Sequence, residues 1–284
     1  MQPISIKREI FSVLLRVAGV ILAIVLIIIM ANVGYSNFGS ISDGKCNIAV
    51  MPIEGVILPY SSIVGSLASG QPYVTPSMVR SFLKTATSES AIKGVLFEIN
   101  SPGGTPVAAE TISNEIKSVT IPTIALIGDV GASGGYMAAT GAHTILASSM
   151  SQIGSIGVTM SYLEQSQKNK EAGVTFVSLA SGKYKDAGNP DKPLTDEERK
   201  LFERELATIR NDFVALVAAN RNLSVDAVSA LADGSTVLGD QALQDKLIDG
   251  IGGRIEAKQI FADKLGLKPS DISFCEYSPA LPVL

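Results

Sequence analysis

The sequence reads as an α/β domain of strand-turn-helix units carried behind one apolar amino-terminal helix. Three observations predict this. Lys93-Gly94-Val95-Leu96-Phe97-Glu98-Ile99 and Thr123-Ile124-Ala125-Leu126-Ile127-Gly128 are short apolar runs of the kind buried strands use, and each runs into a glycine-rich turn. Helical patterns follow both turns, from about Thr105 to Lys117 and from Ser133 to Thr140. Finally, Val17 to Ala31 carries no polar side chain at all.

The amino-terminal segment comes first. Lys7 and Arg8 precede an apolar stretch broken only by Ser12 and Arg16. Extended to Tyr35, it reaches the roughly 20 residues a membrane helix needs. Positive charge lies before it, whereas Asp43 and Lys45 follow it, so the amino terminus is expected in the cytoplasm and the body outside. The expected order is a cytoplasmic end at 1–9, a single span at 10–35, a linker at 36–45 and a domain at 46–284. A cleaved signal peptide is the alternative, since the apolar core also fits an h-region. Ala31-Asn32-Val33 is a poor cleavage site, which favours an uncleaved anchor. Cys46, preceded by Asp43-Gly44-Lys45, lacks the context of a lipidation site.

Roughly 240 residues from Cys46 onward suffice for one α/β unit with a substantial core. The formal net charge is −4 with no basic stripe, which argues against a nucleic-acid partner. Two cysteines, Cys46 and Cys275, make no zinc pattern; outside the cytoplasm they could pair and tie the domain's ends. No metal or cofactor is expected.

Ser133 stands in Gly131-Ala132-Ser133-Gly134-Gly135-Tyr136, where a strand turns into a helix. Free backbone N–H groups and the positive helix end favour a developing oxyanion there. The spacing is not that of a G-x-S-x-G nucleophile elbow. Taken alone, Ser133 reads first as an N-cap serine in a glycine-rich turn. A second turn, Asn100-Ser101-Pro102-Gly103-Gly104, changes that balance, because two such turns in consecutive units can place the N–H groups of one opposite the serine of the other.

A serine nucleophile needs a base, and the chain has one histidine, His143. It lies ten residues after Ser133, about 15 Å along a helix, and opens the next strand at the opposite edge. That leaves lysine. A lysine base must be neutral, so its pKa near 10.4 must fall by about 3, at a cost of roughly 4 kcal/mol met by burial or nearby positive charge. Lys185 stands in Gly182-Lys183-Tyr184-Lys185-Asp186, after an expected strand at Val174–Ala180 and before a Gly/Pro/Asn loop from Ala187 to Pro193. Lys183 competes with it.

Asn100–Gly104, Ala132–Tyr136, Gly154-Ser155-Ile156-Gly157-Val158 and Gly182–Asp186 together resemble the motif series of the S49 serine peptidases, the signal peptide peptidase A family of the ClpP/crotonase fold. Order and spacing match from about Cys46 to Glu256. The stretch from Leu223-Ser224-Val225-Asp226 through Ala232-Asp233-Gly234, then Gly239–Leu243 and Leu247–Gly253, resembles the family as well, with one departure. After Asp-Gly, where the family has a basic and an aromatic residue, this chain has Ser235-Thr236-Val237-Leu238.

The resemblance implies a ClpP/crotonase-like fold of repeated β-β-α units. It makes Ser133 the nucleophile, Lys185 the general base and Ser155 the hydroxyl that orients the lysine. Gly103, Gly104 and Gly134 become the backbone oxyanion donors. It also implies a homo-oligomer, octameric in half-length members, in which one subunit's serine meets a neighbour's lysine. The expected activity is endopeptidase cleavage, through an acyl-enzyme, of apolar peptides such as remnant signal peptides. Its place is the outer side of the inner membrane. The alternatives are a related Ser-Lys protease that clips membrane proteins, a crotonase-fold acyl-CoA enzyme, and an inactive peptide-binding scaffold.

Two further elements complete the reading. Thr195 and Glu198 form a capping box that starts a long helix striped by Leu201, Leu206, Ile209, Phe213 and Leu216. Pro59 to Pro76, rich in Ser, Gly and Pro, reads as an exposed loop.

Overall fold

The computed structural model describes residues 44–60 and 72–277, together with residues 16, 19–22, 25 and 41. Most of the expected membrane span at 10–35 lies outside them. Among the described residues no helix is long and apolar enough to cross a membrane.

Three long strands carry the fold: β1 (Ile48–Ile57), β3 (Gly94–Gly104) and β4 (Thr123–Ala132). They are parallel neighbours, and their near-continuous apolar sequences suit strands buried on both faces. The first two ladders shift register, between Glu54 and Val56 and between Ile99 and Ser101, so the strands serve two sets of partners. Along their first halves β1 pairs with β9 (Phe274–Glu276) and β4 with β5 (Thr144–Ala147), which in turn pairs with β8 (Gly250–Ile251). Along their second halves β1 pairs with β2 (Tyr73–Val74) and β4 with β6 (Gln152–Gly154). One antiparallel strand, β7 (Thr236–Leu238), closes this half against β6. The expected β-β-α repeat is thus a single long strand, two of whose ladders shift register, followed by a helix.

Helices α1 (Pro76–Ser88) and α2 (Pro106–Lys117) each begin with proline, whose missing N–H costs nothing at a helix start. Thr75 caps α1 by accepting the Met78 N–H. Val79, Phe82, Leu83, Ala108, Ala109, Ile112 and Ile116 bury these helices in the main core, around the short α3 (Gly134–Ala139). The end of the expected Pro59–Pro76 loop is therefore ordered structure. Its residues 61–71 lie outside the described residues, but β2 follows them, and Val74 and Thr75 are buried.

Between β6 and Thr195 the chain runs out as an arm whose one regular element is α4 (Ser166–Glu171). The strand expected at Val174–Ala180 does not form there. An extended segment becomes a strand only by pairing, and among the described residues no strand pairs with it. The arm returns through α5 (Asp196–Arg221), started by the expected capping box: Thr195 Oγ1 accepts the Glu198 N–H, and Glu198 Oε2 accepts the Thr195 N–H. The apolar stripe differs from expectation. Phe213, Val214, Val217 and Ala218 are buried, whereas Leu201, Leu206, Ile209 and Leu216 are only partly covered. Only the carboxyl half of α5 reaches the core.

The remaining helices are α6 (Val225–Ala230), α7 (Gly239–Gln244) and α8 (Arg254–Leu265). Helix α8 covers the other sheet face with Ala257, Phe261 and Ala262 against Ile48, Val50, Leu96 and Ile124. Cys46 and Cys275 form a disulfide across 229 residues, beside the start of β1.

Candidate active site

Ligand sites of open parallel sheets lie beyond the carboxyl ends of the strands. Here β4 and β6 end side by side, with Ala132 paired to Gly154, so Ser133 and Ser155 emerge as neighbours. The Ser133 N–H donates to the Gly154 carbonyl at 2.7 Å and fixes one turn to the other. Both serines have positive φ, 52° and 50°. Such backbone is strained for a residue with a side chain and persists only where its surroundings impose it.

Ser133 sits at the N-cap position of α3, yet its side chain makes no capping hydrogen bond and its ψ is −123°. The ordinary role of a turn serine is therefore not the one filled here. Opposite it stands the turn at the end of β3. Gly103 has φ +105°, and a Cβ there would lie 2.9 Å from the Ser133 Cβ. A Cβ on Gly134 would lie 3.2 Å from the Gly104 nitrogen. The Thr105 N–H donates to the Ile57 carbonyl at 3.0 Å, so by strand alternation the Gly104 N–H turns away from β1. At the first position of α3, the Gly134 N–H has no intrahelical acceptor. Ser133, Gly103, Gly104 and Gly134 thus come together. The Gly103 N–H is already spent on Ser101 Oγ at 3.1 Å, and Ser101 in turn donates to the Gly55 carbonyl. Of the three glycines, Gly103 is thus the one whose N–H is engaged by a side chain.

The lysines are in the arm. Lys185 is exposed in a turn, and its N–H donates to the Gly182 carbonyl. Lys183 is engaged: its Nζ lies 3.4 Å from a Glu197 carboxylate oxygen and 5.2 Å from the centre of the Tyr184 ring. The Tyr184 hydroxyl and the Glu197 charge hold its pKa above the ordinary lysine value.

His143 stands where sequence reasoning put it, at the start of β5. Its Nδ1 lies 2.7 Å from Thr123 Oγ1, beside the first residue of β4. Ser133 follows the last residue of that strand, on the order of 30 Å away.

Three residues at the site were not singled out for it. Ser155 Oγ donates to the Gly234 carbonyl at 2.9 Å, and the Ser155 N–H donates to the Ser235 carbonyl at 2.8 Å. Asp233 Oδ1 accepts both the Ser235 N–H and the Ser235 hydroxyl. The signal was legible, since Asp-Gly-Ser is a turn-forming tripeptide. Its contact with Ser155 needed the β6–β7 pairing. Among the described residues no cluster of His, Cys, Asp or Glu is arranged to hold a metal. A cavity of about 390 Å³ lies in the arm among Asn169, Val174, Phe176, Asp191 and Lys192, not at Ser133.

Comparison with known proteins gives a family match. The model of peptidase family S49 matches residues 115–268, a stretch that contains Ser133, Ser155 and Lys185 and begins after the Gly103–Gly104 turn. A candidate protease of Synechocystis is 35% identical over 212 residues, 74% of this chain and 75% of that protein. A candidate signal peptide peptidase SppA of Enterococcus faecium is 34% identical over 218 residues, 75% of this chain and 62% of that protein. The chain thus spans three quarters of the first relative and less than two thirds of the second. A solved ClpP1 mutant from Listeria monocytogenes covers 74% of this chain and 92% of its own at 15% identity and a TM-score of 0.46, too distant to carry an inference.

Proposed function

The chain belongs to peptidase family S49, a serine peptidase family, and we propose that it is a membrane-anchored endopeptidase that cleaves apolar peptides with a Ser133–Lys185 dyad. One observation carries this reading. Ser133 is held in strained backbone, its hydroxyl caps nothing, and the Gly103–Gly104 turn stands against Ser133 and Gly134. Ser133 Oγ attacks the scissile carbonyl while the Lys185 amine takes its proton. The Gly104 and Gly134 N–H groups hold the oxyanion, and the lysine returns the proton to the leaving amine. Water then cleaves the acyl-enzyme by the same steps in reverse. The paired turns at the ends of parallel strands support assigning the fold to the ClpP/crotonase class.

A lysine base needs cover that Lys185 lacks within one chain. The arm that bears it exposes Met160, Leu163, Val174, Val177 and Leu179, and the amino half of α5 is only partly covered. We take these surfaces to pack on a second copy in a ring, an octamer by family resemblance, so that one subunit's Lys185 serves a neighbour's Ser133. The anchor is supported by the described part of the amino-terminal segment: Gly19–Leu22 are helical, and Val20, Ile21 and Leu22 are exposed. Tethering would concentrate the enzyme beside remnant signal peptides on the outer side of the inner membrane.

The test is to mix Ser133→Ala and Lys185→Ala proteins and measure peptide hydrolysis and labelling by a fluorophosphonate probe. Shared sites recover part of the activity in mixed assemblies. Recovery in no mixture rejects the shared dyad, and failure of the wild type to label at Ser133 rejects the nucleophile.

A further inference from the structure

A hydroxyl has one proton to give and two lone pairs to offer. The Ser155 proton is committed to the Gly234 carbonyl at 2.9 Å, and the Ser155 N–H is tied to Ser235. Toward any further group, Ser155 Oγ can therefore only accept. An amine that meets it must donate an N–H, which leaves the amine's own lone pair turned elsewhere. Ser133 emerges one strand over, about 4.8 Å away across the sheet, and carries the proton to be taken. A freely rotating Ser155 hydroxyl would instead donate into that lone pair and compete with Ser133 for it.

The direction of the Ser155 proton thus depends on where the Gly234 carbonyl stands. Gly234 has φ +88° and no side chain to hold it. Its position comes from the flanks. Asp233 Oδ1 accepts the Ser235 N–H at 2.9 Å and the Ser235 hydroxyl at 2.6 Å, closing a turn around Gly234. Strand β7 seats the far side by pairing Thr236 with Gly154. Gly157 leaves room for the turn, since a Cβ there would stand 3.1 Å from the Gly234 Cα. Bonds from the Ser235 hydroxyl and then its N–H hold the Asp233 carboxyl below its ordinary pKa, as befits an acceptor in use.

Resting on the dyad reading, we propose that Asp233 is a positioning residue for the reaction. By locking the Asp233–Ser235 turn, it fixes the Gly234 carbonyl that takes the Ser155 proton and so makes Ser155 an acceptor only, with the lysine lone pair left for Ser133. Ser235, which stands where this chain departs from the family pattern, supplies the other half of the lock.

The experiment compares kcat, KM and pH–rate profiles of the full-length detergent-solubilised protein on an apolar chromogenic peptide. The variants are Asp233→Ala, Asp233→Asn, Ser155→Ala and the double Asp233→Ala/Ser155→Ala, with Ser133→Ala and Lys185→Ala as tests of the dyad itself. Asp233→Ala should lower kcat about tenfold at unchanged KM. The rising limb of its profile should move to lower pH, because a hydroxyl that donates to the lysine favours the neutral amine. Asp233→Asn keeps the acceptor oxygen and should recover most of the rate. In the Ser155→Ala background the Asp233 change should cost nothing more.

Wild-type kcat in Asp233→Ala, a loss that adds in full to that of Ser155→Ala, or no recovery in Asp233→Asn overturns the proposal. A fully active Ser155→Ala also overturns it, while leaving the dyad intact if Ser133→Ala and Lys185→Ala are dead. Activity in either of those two sinks the dyad, and this inference with it.

Discussion

Gly103 stands so close to Gly134 that a Cβ on the first would lie 2.7 Å from the amide nitrogen of the second. That nitrogen is one of the two N–H groups assigned to the oxyanion. A methyl group at Gly103 would displace it or shield it from a substrate carbonyl. Loss of one such donor costs about 10²-fold to 10³-fold in rate, so Gly103→Ala should lower kcat by about 10²-fold. The substitution also forces a side chain into φ +105°, a strain of about 1–3 kcal/mol. Domains of this kind are stable by about 5–15 kcal/mol, so the variant should still fold. Circular dichroism and peptide hydrolysis check both halves; a folded variant at half the wild-type rate would remove Gly134 from the oxyanion site.

The two lysines of the arm should separate sharply. The Lys183 amine is engaged by Glu197 and the Tyr184 ring, and those contacts turn it toward the start of α5. Lys183→Ala is expected to keep most of the activity. Lys185→Ala should lose about 10³-fold, within the range for a general base. The reverse pattern in kcat would move the base to Lys183.

His143→Ala should change the rate by less than about twofold, as exposed positions far from a site do. Its contact with Thr123 anchors the amino-terminal ends of β4 and β5, away from Ser133. A large loss of kcat without loss of stability would reopen a histidine mechanism.

The glycine turns, the helices after them and the remoteness of His143 were legible because each is local. Apolar runs, turn residues and strand length decide them within one strand-turn-helix unit. The Thr195–Glu198 capping box was legible for the same reason. What failed rested on strand pairing and on the reach of the core. Val174–Ala180 has a strand's composition, but pairing makes a strand, and the described residues offer no partner. The α5 stripe was read from periodicity, yet only Phe213 of that set is buried, because the core reaches only the helix's carboxyl half. The Ser155–Gly234 bond joins positions 79 residues apart and follows from β7 turning antiparallel beside β6. Period-2 and period-3.6 patterns carry no information about that pairing.

The base of the arm should respond to acid. Glu198 is buried at the start of α5, where Lys192 first and then the Thr195 N–H hold its pKa below the ordinary 4.5. A depressed carboxylate stabilises the folded state above its unfolded pKa and loses that contribution as pH falls through the folded one. Glu198→Gln should therefore melt below the wild type at pH 7, with the gap closing below about pH 4.5. Thermal unfolding at several pH values measures it, and a gap constant with pH would assign the loss to packing rather than charge.

The disulfide should matter for stability and not for catalysis. It closes a loop of 229 residues, for which chain entropy predicts about 5 kcal/mol of stabilisation. That is a third or more of a typical domain's stability. Its position limits its reach. Cys46 precedes β1, and Cys275 lies in β9, paired to Ala49, so the bond ties the amino-terminal ends of the parallel strands. Ser133, Gly104 and Ser155 stand at the carboxyl ends. Reduction frees β9 and the Tyr277 ring, which packs on Phe82 with centroids 4.9 Å apart, before it disturbs either glycine turn. Reductant should therefore lower the thermal midpoint by roughly 10 °C while leaving the rate at 25 °C unchanged. Cys46→Ser/Cys275→Ser should reproduce the lower midpoint and no longer respond to reductant. A midpoint that ignores reductant in the wild type would mean that the bond contributes nothing, and a rate that falls at 25 °C would mean that the two ends of the sheet are coupled.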